Sequence, residues 1–255
     1  MSSTALSLNL NKIALLRNSR EGNYPNPVEY GRLCIEAGGD GITVHPRPDQ
    51  RHIRPDDVHE LAGLCREYEH IEFNVEGNPF AEEIGEYPGF LKLVEATRPD
   101  QVTLVPDNDD QLTSDHGFNL KVDGDRIRPI IQQLHVQGIR VSLFMDPDPE
   151  QIALAQDIGA NRIELYTGPY AWAYERNDKN LETLFQRYAN AAKAAREIGL
   201  GVNAGHDLNL DNLPRFLQIP DILEVSIGHA FTADSLLMGM ENCVQAYLDI
   251  VQSGN

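Results

Sequence analysis

The chain has 255 residues, 41% hydrophobic and 24% charged, with 20 Gly and 15 Pro, which excludes a disulfide-stapled miniprotein, a collagen, a coiled coil and a disordered chain. Its 21 basic and 39 acidic side chains leave a formal net charge of -18, a field that repels nucleic acid and anionic membrane but not a small phosphate held locally by a few cations and backbone N–H groups. Cys34, Cys65 and Cys243 form no CxxC or metal-ligand pattern, the N-terminal MSSTALSLNLNK lacks a leader pattern, and no apolar run reaches the roughly 20 residues of a membrane span, so a cytoplasmic protein with reduced, buried thiols is expected.

Short β-rich runs bounded by turn residues predict eight strands, at residues 6–10, 41–45, 71–75, 101–105, 139–145, 162–167, 200–204 and 222–227. Helical signals lie between them. Asn26 before Pro27 reads as an N-cap, with Gly38 and Gly39 as the stop. Residues 54–68 open with Pro55, Asp56 and Asp57 and put Val58, Leu61, Leu64 and Cys65 on one face. Further helices are predicted at 125–136, from Asp148 to Gly159, at 181–198 and 211–217, and as one closing helix at 235–251.

Eight alternating strand–helix units in about 250 residues predict a (β/α)8 TIM barrel, with residues 1–255 as one domain. A doubly wound open sheet is the alternative, weakened by the absence of a GxGxxG turn after the first strand and of a GxxxxGK[ST] loop. Alternate strand positions are polar: Ser7, Asn9, Asn11, Thr43, His45, Glu72, Asn74, Glu76, Glu164, Tyr166, Asn203 and Ser226. A lumen lined in this way costs free energy unless hydrogen-bonded, and it points to an active site rather than to stability.

Barrel enzymes carry their chemistry at the C-terminal ends of strands. His45 closes GITVH and His206 closes NAGH, two imidazoles suited to proton transfer near neutrality. Glu72 lies in the third strand as a candidate base, with Glu76 as a competitor the pattern leaves open, and Glu164 supplies a second lumen carboxylate. Arg47, Arg51 and His52 cluster beyond a strand end as a candidate anion clamp. The turns at Gly205 and Gly228-His229 offer a second phosphate site, so two phosphorylated substrates are expected. Convergence of His45, Glu72, Glu164 and His206 on a metal stays open, without HxH or HExxH spacing to support it. Lys12 is the one lysine to consider for a Schiff base. Residues 106–125 are long enough to form a lid that excludes water.

The segments NLNKIALLRNSR, DGITVHPRPDQRHI, LTSDHGF, VSLFMDPD, IELYTG, VNAGHDL and SIGHA, in this order over nearly the whole chain, resemble the pyridoxine 5'-phosphate synthase family. The resemblance implies a (β/α)8 barrel with extra helices and a condensation of 1-deoxy-D-xylulose 5-phosphate with 3-amino-2-oxopropyl phosphate. It also implies no organic cofactor, no metal, and a homo-octamer built from dimers. By motif, His45 and Glu72 match the family's proton acceptors, His206 its proton donor, and Glu164 a charge-stabilising glutamate. Asn9, Arg20, Asp207, Gly228 and His229 match contacts to the aminoketone phosphate, and Arg47, His52 and Thr113 contacts to the deoxyxylulose phosphate. Asn11 and Lys12 replace the family's Asp-His, also on the deoxyxylulose-phosphate side, Asp207 replaces a glycine, and residues 76–89 look longer than usual. An isomerase or epimerase acting on sugar phosphates is the alternative activity, and a catalytically dead barrel kept for binding the other alternative.

Overall fold

The computed structural model describes residues 4–108 and 111–253. In chain order they form β1 (Ala5–Asn9), α1 (Asn11–Asn18), α2 (Pro27–Glu36), β2 (Gly41–Val44), α3 (Pro55–Cys65), β3 (Glu72–Gly77), α4 (Phe90–Thr97), β4 (Gln101–Leu104) and α5 (Leu120–Val136). There follow β5 (Arg140–Met145), α6 (Pro149–Asp157), β6 (Arg162–Tyr166), α7 (Gly168–Glu175), α8 (Leu181–Glu197), β7 (Gly201–Gly205), α9 (Leu213–Phe216), β8 (Ile222–Ile227), α10 (His229–Met238) and α11 (Met240–Ser253). The strands are parallel and close in sequence order, β8 pairing back onto β1, which is the expected TIM barrel.

Local chemistry starts the helices where the sequence says. The Asn26 side chain accepts from Val28 N–H at 2.8 Å with Pro27 at the first helical position, and Asp148 does the same for Glu150 at 2.9 Å ahead of Pro149. At α3 the Arg54 N–H donates to Asp57 Oδ2 at 2.7 Å. The predicted closing helix is broken into α10 and α11 at Gly239, whose φ of 77° is left-handed backbone. Three helices beyond the prediction, α1, α4 and α7, begin without a side-chain cap, and of these α7 alone carries a start signal, Pro169 in its first turn.

The apolar core is a ring around the barrel, not its axis. Leu8, Ile42, Val75, Val102, Leu143, Ile163, Val202 and Val225 point outward from the strands and are fully buried against Leu61, Phe90, Ile131, Tyr188 and Phe216 of the helices. The alternate residues point inward and are polar. Ser7 and Thr43 hydroxyls share a 2.7 Å hydrogen bond, Asn74 Nδ2 donates to Thr43 at 3.3 Å, and the Thr103 hydroxyl donates to Asn74 Oδ1 at 3.2 Å. Toward the N-terminal mouth, Glu224 accepts from Asn203 at 3.2 Å and from Arg162 at 3.3 Å, while Arg140 donates to Gln101 at 2.9 Å. Mutual hydrogen bonding is what makes this many buried polar groups tolerable.

Candidate active site

At the C-terminal mouth, the ends of the strands surround a cavity of about 350 Å³. It brings together most residues singled out from sequence: Asn9 from the end of β1, Asn11 and Lys12 from the start of α1, His45, Arg47 and His52 beyond β2, Glu164 from β6, His206 and Asp207 beyond β7, Gly228 and His229 beyond β8, and Thr113 from the segment between β4 and α5. Glu76, Phe144, Trp172, Ser114 and Ser226 complete the wall.

Two expected residues lie elsewhere. Glu72 is the first residue of β3, at the N-terminal end of the barrel, where it is half exposed in an ion pair with Arg140. It lines a separate cavity with Asp40, His70 and Glu224. The third strand begins later and runs farther than predicted, to Gly77, so the carboxylate facing the upper cavity is Glu76, four residues on and on the same face. The set His45, Glu72, Glu164 and His206 therefore does not converge on one point, and among the described residues no three His, Cys, Asp or Glu side chains are grouped as metal ligands. Arg20 is exposed just beyond α1 and does not line its own chain's cavity.

His45 sits between two acids, its Nδ1 4.0 Å from Glu76 and its Nε2 3.7 Å from Asp107, and its backbone N–H donates to Asn11 Oδ1 at 2.8 Å. Asn11 thus braces the end of β2, and Asn9 in turn accepts from the Asn11 N–H at 3.0 Å. Burial, followed by the positive charge of Arg47, holds the His45 ring well below the ordinary imidazole range, so it is neutral and able to take a proton. Asp107 is tied to Arg47 by a short ion pair and accepts from the Ser114 hydroxyl at 2.8 Å. Sequence reasoning passed over Asp107 because it lies in irregular chain, past the last predicted residue of the fourth strand.

His52 accepts from its neighbour's N–H, Ile53, at Nδ1 over 2.9 Å, which leaves the proton on Nε2. Burial and then Arg47 push its pKa down to about 3. Its backbone carbonyl is anchored from α1 by Arg17 Nη2 at 3.1 Å and by Asn18 Nδ2 at 2.8 Å, with Arg17 buried against Asp57 at 2.8 Å. The helix that the sequence did not announce is what fixes this loop.

Glu164 is 3% exposed and its Oε2 makes no hydrogen bond, while Gly205 leaves its carboxyl room, since any side chain at 205 would run into Oε1. Burial, then the charge of Glu224, pushes Glu164 up to about 8. Burial and then Glu164 hold Glu76 well above the ordinary carboxylate range. Glu164 thus holds its proton at neutral pH, and burial shifts Glu76 in the same direction, beside a neutral ring.

Residues 111–118, between β4 and α5, lie at the mouth. Arg51 donates to Gln111 O at 2.8 Å, Thr113 Oγ1 lies 2.9 Å from His206 Nε2, and Phe118 N–H donates to Phe144 O at 3.0 Å. Of the residues 106–125 expected to form a lid, 120–125 are already helical in α5, and 109 and 110 lie outside the described residues.

With this geometry in place, the sequence matches the family profile described as "Pyridoxal phosphate biosynthesis protein PdxJ" over residues 6–253. It is 55% identical over 253 residues to a pyridoxine 5'-phosphate synthase of Xanthomonas axonopodis pv. citri, covering 99% of this chain and 98% of the relative. It is 52% identical over 253 residues to one of Albidiferax ferrireducens, covering 98% of each. Among solved structures, 3-keto-L-gulonate-6-phosphate decarboxylase of Vibrio cholerae superposes with a TM-score of 0.65 at 8% identity, covering 100% of both chains. The tryptophan synthase alpha chain of Legionella pneumophila gives 0.61 at 12%, covering 99% of this chain and 90% of that one. At such identities these two likenesses concern the barrel alone.

Proposed function

The chain belongs to the PdxJ family of pyridoxal phosphate biosynthesis proteins, and on that premise we propose how its upper cavity condenses 1-deoxy-D-xylulose 5-phosphate with 3-amino-2-oxopropyl phosphate to pyridoxine 5'-phosphate, phosphate and water. The observation that carries the reading is the joining, in one cavity, of a buried imidazole at His45 with the carboxyls of Glu76, 4.0 Å from its Nδ1, and of buried Glu164.

Joining an amine to a ketone, eliminating water and phosphate and closing a ring all require protons to be taken and returned near neutrality. His45 is the first acceptor, and Glu76, 4.0 Å from its Nδ1, fills the second carboxylate role that the sequence had given to Glu72. His206 returns a proton from the opposite wall, and Glu164, when ionised, stabilises positive charge developing in the ring.

The deoxyxylulose phosphate is held by Arg47, His52 and Thr113, with Lys12 supplying charge beside Asn11. The aminoketone phosphate sits at the start of α10 on Gly228 and His229, with Asn9 and the Asp207 N–H. Arg20, outside its own cavity, serves the site of a neighbouring subunit in a homo-octamer of dimers. Leu236 and Leu237, 77% and 89% exposed on α10, support burial between subunits. No helix among the described residues is long and apolar enough to cross a membrane, and the net charge of -18 disfavours anionic surfaces. We read the chain as one cytoplasmic domain of residues 1–255.

The test is a coupled assay that generates the aminoketone phosphate enzymatically and follows pyridoxine 5'-phosphate and phosphate release, for the wild type and His45→Ala. Product from the wild type alone is expected. A folded wild type that forms no product overturns the assignment.

A further inference from the structure

Asp207 stands where the resembled family has glycine, and its backbone pays the usual cost of a side chain there: φ is +59°, directly after His206 at +88°. Two consecutive left-handed residues that are not glycine persist only where their surroundings hold them. Here Asn212 Nδ2 donates to the Asp207 carbonyl at 3.1 Å, and the Thr167 hydroxyl reaches the carbonyls of Gly205, at 2.7 Å, and His206.

The strained turn brings the Asp207 carboxylate against the His206 ring. Its Oδ2 lies at ion-pair distance, 3.2 Å, from His206 Nδ1, a buried nitrogen that makes no hydrogen bond. The His206 ring beside it holds Asp207 below its ordinary range. On its other side the imidazole meets Tyr166 edge-on, ring centroids 5.1 Å apart, and its Nε2 faces Thr113 Oγ1 at 2.9 Å.

We propose that Asp207 is a positioning residue for His206: its carboxylate keeps a proton on Nδ1 throughout, so that Nε2 is the nitrogen that exchanges its proton with substrate and faces Thr113. A neutral imidazole carries one N–H, and the partner of one nitrogen decides the role of the other. This inference rests on His206 being the proton donor of the proposed reaction: the charged ring carries a proton on each nitrogen, Nε2 gives its proton to substrate, and Asp207 retains the one on Nδ1 of the neutral ring that is left.

Asp207→Gly separates positioning from mere occupancy of a turn. Glycine keeps the backbone N–H for phosphate and relieves the positive φ, so a purely structural Asp207 would lose nothing. The ring nitrogens of 15N-histidine-labelled protein are read by long-range 1H–15N correlation at alkaline pH, His206 being assigned with His206→Gln. The expected result is a proton on Nδ1 in the wild type, retained in Asp207→Asn and replaced by a tautomer mixture in Asp207→Gly. Alongside it, kcat falls about tenfold in Asp207→Gly with KM for both substrates within about twofold. An unchanged ring pattern, or an unchanged kcat in an active enzyme, overturns the proposal. A wild type that forms no product while the ring pattern still moves supports the positioning and removes the reaction assignment instead.

Discussion

Replacing Glu164 by Gln should flatten the dependence of stability on pH. Glu164 is 3% exposed, with its pKa raised from 4.5 to about 8 by burial and then by Glu224. Below pH 4.5 the carboxyl is protonated in both folded and unfolded chains and costs nothing. As pH rises toward 8 the unfolded chain loses this proton while the folded one keeps it, so stability falls by about 1.4 kcal/mol per pH unit. Between pH 5 and 8 that amounts to about 4 kcal/mol lost by the wild type and spared in Glu164→Gln. Because Glu164 also raises Glu76, the substitution relaxes that group in the same direction. Urea denaturation at half-unit pH intervals measures the difference. Parallel stability curves for the two proteins would refute the placing of a protonated carboxyl in the upper lumen.

Glu76→Gln should lower kcat about a hundredfold, whereas Glu72→Gln, at the other mouth, should leave kcat within about threefold; steady-state assays of both variants decide which carboxylate works at the site. Asp57→Ala strands the Arg17 guanidinium, 1% exposed, and should cost about 3–5 kcal/mol of unfolding free energy by urea titration, while Arg17→Met with Asp57→Leu recovers most of it. The same loss should raise KM for deoxyxylulose phosphate, since Arg17 anchors the His52 carbonyl.

The barrel was legible because eight turn-bounded strands alternate with helical stretches. The site was legible because polar residues recur on alternate positions of strands that would otherwise be aliphatic. What escaped follows from particular residues. Ile71 opens the predicted third strand but belongs to the turn before it, and this offset moved the expected catalytic end from Glu76 to Glu72. Gly124 hides the first turn of α5, and Gly89, at φ 96°, gives α4 no side-chain cap. Glu224 carried a readable signal, having the same parity as Ser226 on β8. Arg140 and Arg162 did not, because a charge at a strand start reads equally well as solvent-exposed. Trp172 lay outside every predicted element, and only the fold carries α7 over the mouth.

The division of each strand between an aliphatic outward face and a hydrogen-bonded inward face separates two kinds of selection along one stretch of chain. Changes at Leu8 or Val75 are judged by whether the protein folds, and changes at Asn9 or Glu76, one residue away, mainly by what it does. A lineage can therefore exchange Asp-His for Asn11-Lys12, or a glycine for Asp207, without repacking the ring of side chains that holds the barrel closed. New chemistry in such a molecule is reached through alternate codons.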